Sequence, residues 1–422
     1  SANLVISKDG SIYLKERIYN FYTNNGRFRF NVKDYLNKFD QKGNILWRLS
    51  KDDLISNTSE EFNENYNSSN PYQTFDFVLG SDNSLYTTGT DSGRLFISRF
   101  DSDRNKLETN YYDNSNNGER IIEGSDESFY ITGSIPSVSQ FINRSTPVVD
   151  EVISKFNTKG EEIWTKSPSF INNFGDNTQV IDLTAGKDNT FYILGSYHNG
   201  ELALNNPTGR EYIDNFFISK INSEGEEIWT KTFENDSDDE PNALVIGKDS
   251  AIYITGRTDG DLDGQKNNGM YDAFIIKYNS QGEKQWTRIF GSELEDEGRG
   301  IAEGKNGYLY IIGETGGNFD EKINYGGDDV FISKYDSNGE KQWSELLGTK
   351  QNDVGHSINI EEDGSIHISG WTDKNNVPNA FIAKLNSSED KDTTAPDAPT
   401  SLTNLSSEND NTPTITGNAE AG

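Results

Sequence analysis

The stretch that decides the fold is DSAIYITGRTDGDLDGQKNNGMYDAFIIKYNSQGEKQW, which runs from Asp249 to Trp286. It holds an apolar–aromatic–apolar segment at residues 251–256, a second apolar segment at residues 273–278, and a tryptophan shortly after a glycine-containing turn. Asn, Asp and Gly lie between these segments, and these residues tolerate the positive φ angles of tight turns. The stretch therefore predicts short β-strands joined in antiparallel hairpins.

The first of these segments recurs along the chain. A turn, an apolar–aromatic–apolar core and usually a glycine appear as DGSIYLKE, DNSLYTTG, DESFYITG, DNTFYILG, DSAIYITG, KNGYLYIIG and DGSIHISG. The shared ring position is occupied by Tyr13, Tyr86, Tyr130, Tyr192, Tyr253, Tyr310 and His367. A fixed self-similarity of this kind is the sequence signature of a repeat architecture.

Two more motifs follow each ring motif in register. An apolar strand with a basic residue near its end places Lys38, Arg99, Lys155, Lys220, Lys277, Lys334 and Lys384 at one position. A glycine followed by tryptophan four residues later occurs at Gly43/Trp47, Gly160/Trp164, Gly225/Trp229, Gly282/Trp286 and Gly339/Trp343. Arg104 and Glu108 replace this last pair in one unit, and the final unit lacks it.

Seven units of roughly 45 to 70 residues, each made of short β-segments, predict an all-β, seven-bladed β-propeller of four-stranded antiparallel blades. In each unit the first strand would be a stretch such as NALVIG or RGIAEG, and the ring, lysine and tryptophan motifs would be the second, third and fourth. Residues 273–278 are apolar on both faces, as expected for a blade packed between two others. Pairing across the turn at residues 279–282 predicts Trp286 beside Ile275 and diagonal to Lys277, with the lysine stem on the indole. A charged ring of lysines for a ligand is the alternative.

The final unit stops after FIAKLNSSED without a fourth strand. The missing strand would come from residues before Ser1, from the tail, or not at all, so we expect a weak seam between the last and first blades. We assign residues 1–390 to the propeller. Residues 391–422 change to a Pro-, Thr-, Ser- and Asn-rich composition, which resembles the linker and opening strand of bacterial Ig-like adhesin repeats. This resemblance implies a short C-terminal Ig-like stub of a longer protein.

Composition limits the function classes. There are 38 basic and 69 acidic residues, for a net charge of −31, which disfavours nucleic acid and anionic membranes and attracts cations. Solubility in a salty medium is the competing explanation. Cysteine is absent and only three histidines are present, which disfavours thiolate or histidine-built metal sites. No apolar run approaches the roughly 20 residues of a membrane span.

The repeats resemble the bacterial β-propeller repeat (SBBP repeat) family, in which strings close to DGSIYITGxT…DAFIxKYdxxGxxxW recur. The stretch from Asp249 to Trp286 is nearly a consensus copy, and the similarity extends over about 390 residues. It implies a propeller fold and a secreted or cell-surface location, and it implies little about activity. KYNSQGEKQW is also similar to the docking motif of pyrroloquinoline-quinone dehydrogenases, which implies a fold rather than a cofactor.

One loop breaks the repetition. Asp259, Asp261 and Asp263, followed by Gly264, match the first half of an EF-type calcium loop, in which alternate carboxylates converge on one cation. Met270 stands where the closing glutamate is expected, so Asp272 is the candidate fourth ligand. A second, degraded loop offers Asn318, Asp320 and Asp329. The sequence thus predicts one Ca²⁺ site and a weaker second one, and an unfilled acidic turn is the alternative.

Other acids occupy equivalent positions before successive first strands, at residues 238–240, at residues 295–297 and at Asp353, which favours a shared turn role. We expect a non-catalytic, calcium-stabilised binding or adhesion module, monomeric within a longer bacterial surface protein, whose extracellular ligand is a glycan or a protein. A propeller hydrolase or lyase acting on polysaccharide is the enzyme alternative, and the insertions at residues 135–150 and 197–215 are where its site is expected. A structural spacer is the third possibility.

Overall fold

The structure is a computed structural model, and it describes residues 4–24, 27–55, 75–91, 93–112, 118–136, 149–168, 178–198, 214–234, 237–361, 363–374, 377–387 and 420–421. The centres of both insertions and nearly all of the predicted Ig-like stub lie outside these residues. No helix in this part of the chain has the length and apolar character needed to cross a bilayer.

The described strands form seven four-stranded sheets, which we number as blades 1 to 7 in chain order. Blade 1 has β1 (Leu4–Ile6), β2 (Ile12–Asn24), β3 (Arg27–Phe39) and β4 (Ile45–Ser50), followed by helix α1 (Lys51–Ile55). Blade 2 has β5 (Phe75–Leu79), β6 (Leu85–Asp91), β7 (Arg94–Phe100) and β8 (Lys106–Tyr112). Blade 3 has β9 (Arg120–Glu123), β10 (Phe129–Pro136), β11 (Val149–Phe156) and β12 (Glu162–Lys166).

Blade 4 has β13 (Gln179–Ala185), β14 (Thr190–His198), β15 (Asp214–Asn222) and β16 (Glu227–Phe233). Blade 5 has β17 (Asp239–Ile246), β18 (Ile252–Thr258), β19 (Asp272–Tyr278) and β20 (Lys284–Phe290). Blade 6 has β21 (Asp296–Glu303), β22 (Leu309–Thr315), β23 (Asp329–Tyr335) and β24 (Lys341–Leu347). Blade 7 has β25 (Asp353–Ile360), β26 (Ile366–Lys374), β27 (Val377–Ser387) and β28 (Glu420–Ala421).

The sheets confirm the predicted all-β, seven-bladed propeller, with consecutive strands paired antiparallel in blades 1 to 6. Blade 7 is completed differently, because Glu420 and Ala421 pair in parallel with Asn386 and Ser387. Among the three predicted sources of the missing strand, the described residues therefore show the tail. Five buried apolar side chains form the cluster at the seam with blade 1 in the described part of the chain, whereas twelve form the cluster shared by blades 4 and 5.

Blade-to-blade packing explains why the third strands are apolar on both faces. Phe274 and Ile276 of β19 pack towards blade 4, and Ala273 and Ile275 pack towards blade 6. All four side chains are completely buried. Each internal blade therefore contributes to two interfaces, and the hydrophobic effect acts between the sheets rather than on one face of each sheet.

The predicted register of the outer hairpin was wrong. Trp286 lies directly opposite Lys277, and Ile275 lies opposite Arg288. The ladder shifts by one residue between Lys277 and Tyr278, because a β-bulge in the outer strand leaves an extra residue beyond the turn. The same shift recurs between Lys334 and Tyr335 in the next blade.

The repeated lysine serves the blade, although it lies on the tyrosine rather than on the indole. Lys277 Nζ is 5.1 Å from the centre of the Tyr253 ring, and that ring contacts Trp286 at 6.1 Å. The ammonium group also donates to the carbonyl of Ser337 in the next blade, at 3.0 Å. Lys38 and Lys155 likewise combine a cation–π contact with a hydrogen bond to the next blade.

Candidate functional site

A central cavity of about 630 Å³ runs between the first strands of the seven blades. Its lining includes Leu4 from blade 1, Asp76 from blade 2, Arg120 from blade 3 and residues of β13, β17, β21 and β25. Small-ligand pockets commonly have volumes in this range, and the blades of a propeller surround a central channel. The cavity is therefore the candidate ligand site.

β-Bulges bring individual residues of the first strands to this cavity. The ladder between first and second strands skips one residue in blades 4 to 7, namely Ile181, Asn242, Arg299 and His356. All four line the cavity. Because a bulge re-aims a side chain, the innermost strands can present a different residue from each blade without changing their pairing.

Two arginines and three glutamates form a charge network where β17 and β21 begin and β18 and β22 end, and Arg299 of this network lines the cavity. Arg257 Nη2 lies 2.5 Å from Glu240 Oε1, and Arg299 Nη2 lies 3.0 Å from Glu297 Oε2 and 2.6 Å from Glu314 Oε1. Arg257 Nη1 also approaches Glu297, at 3.5 Å. Shared partners hold the guanidinium planes in fixed orientations.

Two titratable groups near Arg299 have shifted pKa values. Burial raises the pKa of the Glu314 carboxyl above its usual range, although Arg299 donates two hydrogen bonds to it. Burial, assisted by the positive charge of Arg299, lowers the pKa of His356 to about 3. The imidazole is therefore neutral at pH 7.

The sequence pattern predicts a first strand at residues 299–304 and does not indicate the role of Arg299 in the cavity. It also does not single out Arg257 and Glu314, which follow the motif glycine of their second strands. A usable signal was present, because this position holds Arg257 and Glu314 in units that otherwise repeat closely, and Ser134, Ser196 and Trp371 in others. The insertions, where an enzyme site was expected, lie largely outside the described residues.

The predicted calcium loop follows β18 at the same end of the blades. Asp259 Oδ1 accepts a hydrogen bond from the amide of Asp238 at 2.8 Å. Asp261 accepts from the Asn267 amide at 3.1 Å and forms an ion pair with Lys266. Asp263 forms an ion pair with Lys284 and accepts from Thr287. The three side chains thus have separate donors, and a cation would have to displace the lysines.

The second loop has the same geometry despite its different residues. Asn318 accepts from the Asn324 amide at 3.0 Å, as Asp261 does from Asn267, and Asp320 pairs with Lys341, as Asp263 does with Lys284. Asp263 and Asp320 have φ angles of 49° and 48°. An acid is therefore not needed for the loop conformation at the position of Asp261, since the amide oxygen of Asn318 replaces it in the second loop.

A buried apolar residue anchors each loop. Leu262 and Phe319 occupy equivalent positions, and each is 1% exposed. Phe319 stacks on Phe331, with ring centres 4.9 Å apart and planes 10° apart. Reciprocal backbone hydrogen bonds close the tip of each loop, between Leu262 and Gln265 in the first and between Phe319 and Lys322 in the second. Packing of this residue explains the loop shape in both blades.

Asp272 and Asp329, the proposed closing ligands, are fully buried at the starts of β19 and β23. Burial raises the pKa of each carboxyl to about 6, and Asp296 and Asp353 add a smaller upward contribution through their negative charge. The two carboxyls are therefore buried, whereas Asp261, Asp263 and Asp320 of the loops are exposed. Each buried carboxyl faces a carboxylate from the following blade instead.

Asp214, Asp238 and Glu240 form another acidic group beside the first loop. One carboxylate oxygen from each lies within 4.8 Å of the others, and this is the one such group of three among the described residues. Asp238 links this group to the loop, since it also accepts from Tyr271 Oη at 2.8 Å. Glu240 links it to Arg257 and the charge network.

No family model matches the chain. It is similar to the regulatory protein FlaEY of Caulobacter vibrioides, with 24% identity over 239 residues, which cover 50% of this chain and 25% of that protein. The chain thus spans a quarter of the length of this relative.

Among solved structures, an ulvan lyase described as a new family of polysaccharide lyase matches in a ligand-bound form with a TM-score of 0.51 and 11% identity. The match covers 86% of this chain and 88% of that one. A second structure of the lyase matches with a TM-score of 0.50 and 10% identity over the same shares. At this identity the likeness supports the propeller fold alone.

Proposed function

We propose that this chain is a non-catalytic binding module of a larger exported bacterial protein, and that its cavity takes a hydroxyl-rich extracellular ligand, a glycan in the first place. The observation that carries the proposal is a set of unrepeated polar residues that ion pairs connect to Arg299, which lines the cavity. In a chain whose other positions repeat from blade to blade, Arg257, Arg299 and Glu314 differ from their counterparts. Residues that serve the blade repeat, so these serve something else.

The chemistry of the network suits sugar hydroxyls. Arg257 and Arg299 offer donors, and Glu240, Glu297 and Glu314 offer acceptors, in a region where their side chains are only 10–32% exposed. A hydroxyl both donates and accepts, so it can bridge such a pair without leaving a buried charge unmatched. The three glutamates disfavour a strongly anionic ligand.

Calcium stabilisation is the second part of the proposal. Asp259, Asp261 and Asp263, with Asp272, would supply oxygen ligands if the cation displaced Lys266 and Lys284, and Asn318, Asp320 and Asp329 would do so in the next blade. The high negative charge favours this exchange in a calcium-rich extracellular medium. A higher thermal midpoint in millimolar Ca²⁺ than in EDTA is expected, and the absence of any shift argues against this part.

A glycan array followed by titration tests the ligand. Glu314→Gln keeps the shape of the side chain but changes its acceptors, so we expect affinity to fall about tenfold or more. The matched control is Glu340→Gln, because the Glu340 side chain is 72% exposed on an outer hairpin. Failure to bind any glycan, or equal binding by both variants, would contradict the proposal. A response to proteins alone would favour the protein-ligand alternative, and a response to neither would favour the spacer.

A polysaccharide lyase or hydrolase is the second candidate function. It is favoured by the raised pKa of Glu314 beside Arg299, which is the condition for a proton-transferring group, and by a fold shared with an ulvan lyase. Turnover of a bound polysaccharide, lost in Glu314→Gln while binding remains, would establish this function instead. Binding without product formation favours the module.

A further inference from the structure

Two pairs of buried aspartates lie at successive blade junctions. Asp272 starts the third strand of blade 5 and faces Asp296, which starts the first strand of blade 6. Asp329 and Asp353 have the same relation between blades 6 and 7. All four side chains are 0% exposed. We call these the 272/296 pair and the 329/353 pair.

Each aspartate uses one oxygen for hydrogen bonds and keeps the other unused. Oδ2 of Asp272 accepts from the Asn268 amide, and Oδ2 of Asp296 accepts from the Ser292 amide, both at 2.6 Å. The corresponding bonds in the next pair come from the Tyr325 and Thr349 amides, again at 2.6 Å. Oδ1 of all four residues is buried and has no hydrogen bond of ordinary geometry from the described residues, although the hydroxyl groups of Thr315 and Thr372 lie close enough to lower the pKa of Asp296 and Asp353.

The two carboxylates of the 272/296 pair approach the same point. A Cβ atom built on Gly291 would lie 2.3 Å from Asp272 Oδ1 and 2.7 Å from Asp296 Oδ2. The equivalent Gly348 would place a Cβ 1.9 Å from Asp329 Oδ1. A glycine at this position therefore leaves the space beside the carboxylates unfilled, and any other residue would occupy it.

Two like charges with unused oxygens in a buried space are strongly unfavourable unless something neutralises them. The nearby protein supplies amide donors to the Oδ2 atoms but no cationic side chain to the Oδ1 atoms of the described residues. A hard divalent cation supplies two positive charges and prefers carboxylate and carbonyl oxygens. Such an ion would match the charge of each pair.

We propose that the 272/296 and 329/353 pairs each bind one divalent cation, Ca²⁺ in the first place, which fastens neighbouring blades together. These sites are distinct from the exposed acids Asp261 and Asp320 of the loops, although the loops lead into Asp272 and Asp329. The proposal is independent of the glycan ligand. It places the cation at the junction between sheets, where its ligands come from two blades.

A shared proton is the competing way to neutralise each pair, and isosteric substitutions distinguish the two. Asn in place of Asp296 or Asp353 keeps the side-chain shape and one oxygen that accepts the hydrogen bond from the backbone amide. It removes the negative charge that a cation needs. If a proton were shared, the Asn amide would donate to the remaining carboxylate and the variant would be as stable as the original.

The experiment uses the full chain after EDTA treatment, with Ca²⁺ as the probe, read by calorimetric titration and by the thermal midpoint. We compare the original with Asp296→Asn, Asp353→Asn, the loop variant Asp261→Asn and the control Glu340→Gln, whose side chain is 72% exposed on an outer hairpin. We expect Ca²⁺ to bind and to raise the midpoint of the original and of Glu340→Gln. Each pair variant should lose one of two sites or weaken it by at least about tenfold.

Three results would overturn the proposal. The first is no binding of Ca²⁺, Mg²⁺ or Mn²⁺ by the original chain. The second is loss of binding in Asp261→Asn with full binding in the pair variants, which would locate the cation in the exposed loop and uphold the calcium part of the proposed function. The third is cation binding that is the same in the original and in the pair variants, with equal stability of all of them in EDTA, which would identify a shared proton.

Discussion

Replacement of Gly313 in β22 tests most directly how the innermost strand of a blade is held beside the cavity. A Cβ atom at this position would lie 1.8 Å from the carbonyl oxygen of Glu297 in the neighbouring first strand and 2.9 Å from the Phe331 ring. Equivalent glycines meet the same obstacle, since Gly256 would contact the Glu240 oxygen at 2.0 Å. The first contact is with backbone, so no side-chain rotation relieves it.

Gly313→Ala must therefore push β21 away from β22 near the Arg299 bulge, and we expect a loss of about 3 kcal/mol in unfolding free energy. The control is Gly307→Ala in the same blade, where φ is +77° and the nearest atom to the added Cβ is 4.0 Å away. It meets only left-handed strain, about 1 kcal/mol. Urea unfolding followed by tryptophan fluorescence measures both. Equal midpoints for the two variants would refute the idea that the first strand requires this glycine.

Three further changes test other parts of the structure. Lys277→Met removes the hydrogen bond to Ser337 and the contact with Tyr253, so the unfolding free energy measured in urea should fall by about 1–2 kcal/mol. The exposed Lys350→Met is the control and should change it little. Equal effects of the two variants would contradict the role of Lys277 at the blade interface. Glu321 has a φ of +65° where the first loop has Gly264, so Glu321→Gly should stabilise by about 0.5–1 kcal/mol, and a loss of stability would be the contrary result. His356 has a folded pKa of about 3, and its unfolded value is near 6.5, so the unfolded state binds the extra proton between these values and stability falls as pH falls below about 6.5. His356→Gln should remove up to about 1.4 kcal/mol per pH unit of that slope in urea titrations at pH 7 and pH 5, and an unchanged slope would show that the histidine is protonated in the folded state.

The repeated motifs were sufficient to predict the blades, because the residues that define them contact one another within each blade. The ring residue, the lysine and the tryptophan of one blade contact one another, so they recur together and mark consecutive strands. The register of the outer hairpin was not predictable in the same way. It depends on two one-residue shifts, namely a three-residue turn in which Gly282 has a φ of 75° and a bulge at Gln285 in the outer strand.

The cavity residues were hidden by the same repetition. Arg299 lies in a stretch that aligns with first strands elsewhere, and only the bulge between Gly298 and Gly300 turns its side chain into the channel. The acidic loop was conspicuous for the opposite reason, since three alternate aspartates stand out in any sequence. In the fold, a buried apolar residue anchors each loop, Leu262 in the first and Phe319 in the second. A search of the sequence for ligand residues does not detect such a residue.

Comparison of the two loops distinguishes residues that maintain the fold from residues that could bind a cation. Asp261 is replaced by Asn318 without a change in the backbone, so selection for shape alone does not require an acid there. Asp272 and Asp329 are different, because both are buried, both have a raised pKa and both keep an unused oxygen beside a second carboxylate. A fold gains nothing from burying two like charges unless a neutralising partner accompanies them. The repetition of that arrangement at two junctions, with a glycine preserved beside each, is therefore a stronger indication of a bound cation than the exposed aspartates are.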